Sequence, residues 1–413
     1  MTGGVVASQL GARMHYAVPR ILGEAGLLER FYTDICAVQG FPRLLSVMPQ
    51  RWQPKPIRRL AGRIPAVPGD KLRSFPLLGA YQIARRMRAA GPADETRLAL
   101  LDGKAFSRAV IRDGFGKASG FYGIAGECLE QLQAAKALGM WTVVEQIIAP
   151  RDIVDQLVGG EAAKFPAWAQ GLLEDRYATA FAQRERDEWA AADVIVCPSE
   201  FVREMVAKAG GPVEKCVLVP YGIETTRFAV PKRHRKNRLR VLTVGAVGLR
   251  KGSPYVVEAA RQMVGEAEFH IAGAIAPGLT NLIPRSPNLQ LLGAVPRAEI
   301  AAHFAWADVF LLPSACEGSA TVTYEALAAG LPVIATPNTG SVVEDGISGR
   351  LVPLGDTAAI VSALRNLAAD AQTLEAMSAA AIARAAEYDL TAYGRRLLAA
   401  LAPLQNPPGS TRA

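Results

Sequence analysis

The chain reads as an α/β protein built from two doubly wound, Rossmann-like domains. Its second half alternates short β-rich runs with helical patterns of ten to fifteen residues, the mark of parallel βαβ units. Its 413 residues are long for a single core and fit two domains of about 200 residues each. Half of the residues are hydrophobic, yet no apolar run reaches 18 residues, so the apolar content belongs to cores rather than to a spanning helix.

In the first half, GVVASQ (4–9) reads as a strand and the segment from Met14 to Glu29 as a helix. KASGFYGIAG (117–126) holds a strand, followed by the helical ECLEQLQAAKALG and the strand MWTVVEQ (140–146). A long helix over 168–192 leads into the strand DVIVCPS (193–199) and the helix SEFVREMVAKAG. KCVLVPYG (215–222) closes the half. The basic, Pro-containing VPKRHRKNR (230–238) is a natural linker, setting a first domain at 1–229 and a second at 239–385.

The second half is clearer. Strand RVLTVG (240–245) precedes a loop through Gly252 and a helix for which Ser253 is a suitable N-cap. Strands EFHIAGA (268–274) and LQLLG (289–293), helix PRAEIAAHFAWA (296–307) and strand DVFLLP follow. Helix TVTYEALAAG and strand LPVIAT (331–336) come next, and helices run from Ala358 to Leu404. The tail 406–413 carries no packing signal and is expected to be disordered.

Five scattered cysteines without a CxxC pair suggest neither a disulfide framework nor a zinc site, and no His/Cys/Asp clustering supports a metal. Together with an N-terminus lacking a basic start and a sustained apolar centre, this predicts a cytoplasmic protein. The net charge of +8 is uneven: residues 41–90 hold eleven Lys or Arg against one acid, Asp70, interleaved with Trp52, Leu60, Phe75 and Leu77. That stretch is either a solvated surface or a face for anionic lipid or a polyanionic acceptor. No nucleic-acid motif accompanies it.

The chemistry concentrates in EGSATVTYE. Glu317 and Glu325 bracket seven residues between a strand and a small-residue helix. One carboxylate falls in the loop at the strand's C-terminal end and the other about one turn into the helix. In an open α/β sheet ligands bind at that crevice, and the free N–H groups of the helix start favour an anion. Hydroxyl-binding carboxylates beside a phosphate-binding helix start suit a nucleotide-sugar. The loop VGAVGLRKGS (244–253) lies at another strand end of the same sheet, with Gly245, Gly248 and Gly252 for close backbone approach and Arg250 and Lys251 as cations. Fixed cations there stabilise charge developing on a departing diphosphate.

The segment 308–356, DVFLLPSACEGSATVTYEALAAGLPVIATPNTGSVVEDGISGRLVPLGD, resembles the signature of retaining glycosyltransferases of the GT-B fold, specifically glycosyltransferase family 4. RDEWAAADVIVCPSEFVREMVAKAGGPVEKCVLVPYGIETTRF (186–228) is similar to the segment leading into that family's second domain. The resemblance implies a GT-B enzyme with its site in the interdomain cleft and a C-terminal helix (386–405) crossing back. It implies that Glu325 binds the donor ribose and that Glu317 contacts the donor sugar. The backbone of Gly318, Ser319, Ala320, Thr321 and Val322 would meet sugar and diphosphate. Arg250 and Lys251 would grip the diphosphate in place of a metal, so no cofactor is implied.

Two positions depart from the family pattern. Ala246 stands where an Arg is common, and no His occurs in FYGIAGECLE, where one usually ends a first-domain strand. Glu127, with Glu145 on the next strand end, is the nearest polar candidate. His15 follows the first strand's loop, where the family's glycine-rich donor loop would place Gly11 and Arg13 in the crevice. His234, His270 and His303 offer little.

The implied activity is transfer of a hexose from a nucleotide diphosphate sugar, such as a UDP- or GDP-hexose, to an acceptor hydroxyl in glycan, lipopolysaccharide or glycolipid synthesis. The expected partners are that donor, a sugar, lipid-linked or polysaccharide acceptor, and an anionic membrane surface reached through residues 41–90. Two alternatives stand beside it: an epimerase or hydrolase of nucleotide sugars on the same fold, and a non-catalytic sugar-nucleotide-binding protein.

Overall fold

A computed structural model of the protein describes residues 3–46, 54–89, 91–169, 175–229 and 238–405. The expected linker lies almost wholly outside the described residues, as does the tail, and so do residues 47–53 of the basic stretch.

Two parallel sheets organise the chain. The first contains β1 (Gly4–Gln9), β2 (Leu28–Thr33), β3 (Leu72–Ser74), β4 (Ala118–Ile124), β5 (Trp141–Glu145), β6 (Val194–Cys197) and β7 (Cys216–Leu218). Its order is β3-β2-β1-β4-β5-β6-β7. The second contains β8 (Leu239–Val244), β9 (Ala267–Ala272), β10 (Leu289–Gly293), β11 (Val309–Leu312), β12 (Val333–Ala335) and β13 (Gly349–Leu351), in the order β10-β9-β8-β11-β12-β13. In both, the chain starts at a central strand, winds out to one edge, then returns to wind the other way. The reversal opens a crevice at the carboxyl ends of β1/β4 and of β8/β11, and the site elements occupy both.

The strands have the composition that two covered faces require. Val5, Val6 and Ala7 of β1 and all four residues of β11 are buried, without polar alternation. The short strands β3 and β13 lie at sheet edges, where less pairing and burial are needed.

Several expected elements differ. The helix foreseen over Met14 to Glu29 is confined to Ala17–Glu24, and Leu28–Thr33 is strand β2. Gly26, at φ +70°, turns the chain between them, a conformation favourable to glycine. The long helix over 168–192 is instead a helix Ala178–Ala191, preceded by Arg151–Lys164 and a 3₁₀ turn Pro166–Ala169. Ser253 is the first helical residue rather than the cap; its Oγ accepts from the Gly248 N–H at 3.0 Å.

The two domains are joined by more than their connection. The helix Leu390–Gln405 packs on Ala17–Glu24 of the first domain. Its entry is bonded to the first domain's end through Ile223 N–H to Tyr388 O (3.0 Å) and Leu390 N–H to Ile223 O (3.1 Å). Arg396 donates to the carbonyls of Pro220 (3.1 Å) and Tyr221 (3.2 Å). On the far side of the cleft, Tyr255 at the start of helix Ser253–Gln262 donates to buried Glu161 of helix Arg151–Lys164 at 2.5 Å, and its ring meets Phe165 edge-on.

Candidate active site

The phosphate-side loop connects β8 to helix Ser253–Gln262. Gly245 sits at φ +152°, and a Cβ there would stand 3.0 Å from Lys251 Cε, so its absence leaves room for the lysine stem. Gly252, at φ +68°, would drive a Cβ to 1.9 Å from the Pro313 carbonyl oxygen. The glycine therefore allows the helix start to lie against the end of β11. Ala315 N–H donates to Arg250 O at 2.9 Å, tying this loop to the one that carries Glu317.

Glu317 is where the two loops meet. Its Oε1 accepts from Arg250 Nη1 at 2.5 Å and from Lys251 Nζ at 2.8 Å. Lys251 is almost fully buried, and burial pulls its pKa below the usual lysine value, opposed by Glu317. The backbone is fixed from beneath: Glu317 N–H donates to Asn338 O (2.9 Å) and Asn338 Nδ2 to Ala315 O (2.8 Å). The segment 336–340 was not singled out in the sequence. Nothing about Asn338 in isolation distinguishes it from a turn residue.

Gly318 to Val322 form the lip of helix Thr321–Ala328. Ser319 Oγ lies 2.6 Å from Tyr324 OH, and no side chain caps the helix at Ala320. An uncapped start in a cleft offers N–H groups to an anion. Gly318 is pressed against the first domain: a Cβ would fall 1.7 Å from the Ile147 carbonyl oxygen. Its own carbonyl accepts from Ser199 Oγ of the first domain.

Glu325 lines a separate cavity of about 360 Å³ between the domains. The cavity is shared by Met14, His15 and Arg20 of the first domain, by Arg227, and by Arg297 and Thr321 of the second. Arg297 Nη2 stands 3.7 Å from Glu325 Oε1, and burial raises the Glu325 carboxyl above its ordinary value. His15 is held below its ordinary value by burial and then by Arg297, Arg227 and Arg20. Arg227 and Arg297 were not anticipated: Arg227 lies in the 3₁₀ turn Thr225–Phe228, and Arg297 falls within the helix expected over 296–307, whereas the helix is Ile300–Trp306 and Arg297 stands in the turn before it. Met14, His15 and Tyr16 have φ of 46°, 49° and 61°, a run of left-handed residues that stores strain at the cleft.

A second cavity, of about 340 Å³, opens in the first domain, lined among others by Leu10, Arg13, Arg86, Glu127, Ile147 and Phe181. Arg13 and His15 thus place the loop after β1 between the two cavities. Gly11, at φ +72°, donates its N–H to Asp34 Oδ1 at 3.0 Å. Glu127 accepts from Leu10 N–H (2.9 Å) and Arg13 Nη2 (3.0 Å), so it anchors that loop and faces the cavity at once.

Glu145 lies elsewhere. It is 3% exposed and accepts from the hydroxyls of Tyr122 and Tyr221, both at 2.7 Å, which makes it a core residue out of reach of a substrate. The helical run was expected to open at Glu127, but the helix is Leu129–Ala137 and Glu127 precedes it. The helix's first turn is capped by the unforeseen Glu188, which accepts from the N–H groups of Gly126 (2.5 Å), Cys128 (3.0 Å) and Leu129 (3.0 Å).

Residues 238–370 match the family model described as glycosyl transferases group 1. Across 97% of its length the chain superposes on the sucrose-phosphate synthase of Thermosynechococcus elongatus, with a TM-score of 0.63 at 16% identity and 99% of that chain covered. The same coverages hold for the Anabaena protein HepE in complex with UDP-glucose, at a TM-score of 0.58 and 16% identity. The fold is GT-B.

The sequence relatives are glycosyltransferases by name. The chain is 29% identical over 201 residues to an amylovoran biosynthesis glycosyltransferase of Erwinia amylovora, covering 43% of this chain and 48% of the relative. It is 31% identical over 217 residues to a GDP-mannose-dependent phosphatidylinositol monomannoside mannosyltransferase of Mycolicibacterium smegmatis, covering 46% and 56% respectively. The chain thus spans about half the length of the curated relatives it matches.

Proposed function

We propose that this GT-B protein is a glycosyltransferase of family 4. It would move a hexose from a nucleotide diphosphate sugar to an acceptor hydroxyl with retention of configuration. The observation that carries the reading is the shared carboxylate: Glu317 holds Arg250 and Lys251 together, at 2.5 and 2.8 Å, beside an uncapped helix start. A diphosphate entering there exchanges one anionic partner for another. The two cations turn to the phosphates, and Glu317 is released toward the donor sugar's hydroxyls. Guanidinium and ammonium donors on the leaving diphosphate stabilise the charge that develops as the glycosidic bond breaks. With both cations in place, the reaction as read needs no divalent metal.

Glu325 takes the donor ribose in its cavity, and the base extends toward Arg227 and Arg297. The acceptor enters from the Glu127 side, across the loop 11–16. The first-domain cavity mixes arginines and carboxylates with the ring of Phe181, a lining that suits a sugar or a lipid-linked sugar. Among the described residues no side chain is placed as an enzymic nucleophile between the cavities. The reading is therefore a front-face transfer, in which the departing phosphate helps to take the acceptor proton. A lipid-linked acceptor would bring the protein to the inner face of a membrane; among the described residues no helix is long and apolar enough to cross one.

Thermal unfolding in the presence of UDP- and GDP-hexoses tests the donor assignment. A matching donor raises the midpoint with the logarithm of its concentration over its dissociation constant. Glu325→Ala should abolish the rise. No nucleotide sugar raising the midpoint would sink the reading.

A further inference from the structure

Several cations of residues 41–90 are engaged within the first domain. Arg85 and Arg86 both pair with buried Asp102, at 2.7 and 2.9 Å, and Arg63 pairs with Asp34 at 3.3 Å. Lys71 donates to the Leu28 carbonyl at 2.6 Å and Arg73 to the Asp70 carbonyl at 2.6 Å. These contacts hold the first domain together.

A different basic surface lies on the antiparallel hairpin of helices Pro76–Arg86 and Pro92–Asp113. Along the longer helix, Lys104, Arg108 and Arg112 recur at helical spacing; with Arg88 they are exposed and make no ion pair among the described residues. Large apolar side chains stand beside them. Leu77 is 80% exposed, Met87 77% and Tyr81 59%, with Leu101 and Ile111 exposed on the second helix. A cavity of about 560 Å³ opens between the helices, floored by Phe75, Leu78, Ala105 and Ala109, with Arg108 and Arg112 among its lining residues. Gly40 abuts Pro76, so exposed Phe41 and Leu44 continue the patch. Exposed leucine, methionine and tyrosine among unpaired cations are out of place on a solvated face.

We propose that this hairpin docks on a bilayer rich in anionic lipid. The cations contact headgroups, Leu77, Tyr81 and Met87 enter the interface, and an acyl chain occupies the cavity between the helices. Charge complementarity selects the occupant: a neutral partner would leave four cations unmatched, and a purely polyanionic one would leave the apolar side chains in water. Arg86 closes the hairpin's first helix and lines the first-domain cavity, so docking sets that cavity beside the membrane surface. The proposal stands independently of the donor assignment.

The test is sedimentation of the full chain with vesicles of phosphatidylcholine alone or with phosphatidylglycerol added, at low and high salt. Binding should require phosphatidylglycerol and weaken with salt. Leu77→Glu/Met87→Glu and Arg108→Glu/Arg112→Glu should each reduce it at least about tenfold. The midpoint shift given by a nucleotide sugar should stay unchanged in both variants, which separates a failed docking face from a failed fold or donor site. Absence of phosphatidylglycerol-dependent binding overturns the proposal. So does binding that only the arginine variant loses, which would mark a polyanion site without insertion.

Discussion

Lys251 and Glu317 hold each other in a nearly dry site, and that pairing sets what each substitution does. Lys251→Ala removes one of two cations from the diphosphate position and leaves Arg250 to neutralise Glu317. Donor turnover should fall by about 10² or more, the usual effect of deleting a fixed donor at a developing anion. Circular dichroism should stay unchanged; a variant that unfolds would contradict the role. Glu325 makes a pH prediction. Burial raises its carboxyl above the reference 4.5, whereas ribose hydroxyls bind best to the ionised form. Donor affinity measured by calorimetry should therefore rise with pH as this group ionises. The stability term runs the other way: a raised carboxyl stabilises the apo fold at low pH, and that contribution is lost as pH climbs through its folded value. A pH-independent affinity in the wild type would exclude Glu325 from the ribose site. Both acids and both cations were legible because each sits in a short contiguous pattern at a strand end. Arg227, Arg297 and Asn338 reach the site only through the fold, and no local spacing marks them.

Helix starts and edge strands decide the next scale. Glu188 caps helix Leu129–Ala137 with three backbone N–H bonds while fully buried. Burial pushes its pKa up to about 8 against the pull of Arg184. Glu188→Ala would orphan those donors, so denaturant unfolding should show a loss of about 3 kcal/mol or more. A loss below about 1 kcal/mol would mean that water replaces the cap. Strands such as β8 and β11 announce themselves as apolar runs. β2 does not, because LERFYT carries Glu29 and Arg30, which are only partly covered, and β3 has three residues at an edge. Helix Arg151–Lys164 contains the pair Gly159 and Gly160, which argues against a helix locally. It forms because its two ends are fixed by contact. Glu185 accepts from Arg151 N–H at 2.7 Å, and Glu161 meets Tyr255 of the other domain.

For the whole molecule, the cleft is closed by contacts that tolerate little extra volume. Gly318→Ala would place a methyl 1.7 Å from the Ile147 carbonyl, a backbone atom that cannot rotate away. The domains should separate, visible as a larger radius of gyration in X-ray scattering. Turnover should drop while nucleotide binding in the second domain persists. Unchanged scattering and turnover would show that the lip does not touch the first domain in the working state. The alternation of strands and helices made two doubly wound domains legible, yet the acceptor side stayed opaque. Its cavity is assembled from the loops after β1, β4 and β5 and from three helices, which sequence alone does not bring together.

Turnover of a nucleotide sugar in the presence of candidate sugar and lipid-linked acceptors is the measurement closest to the central claim, compared between wild type and Lys251→Ala. Formation of an α-linked product from an α-linked donor, lost in the variant, is the expected result. Donor binding without transfer to any acceptor, or the same turnover in both proteins, would contradict it.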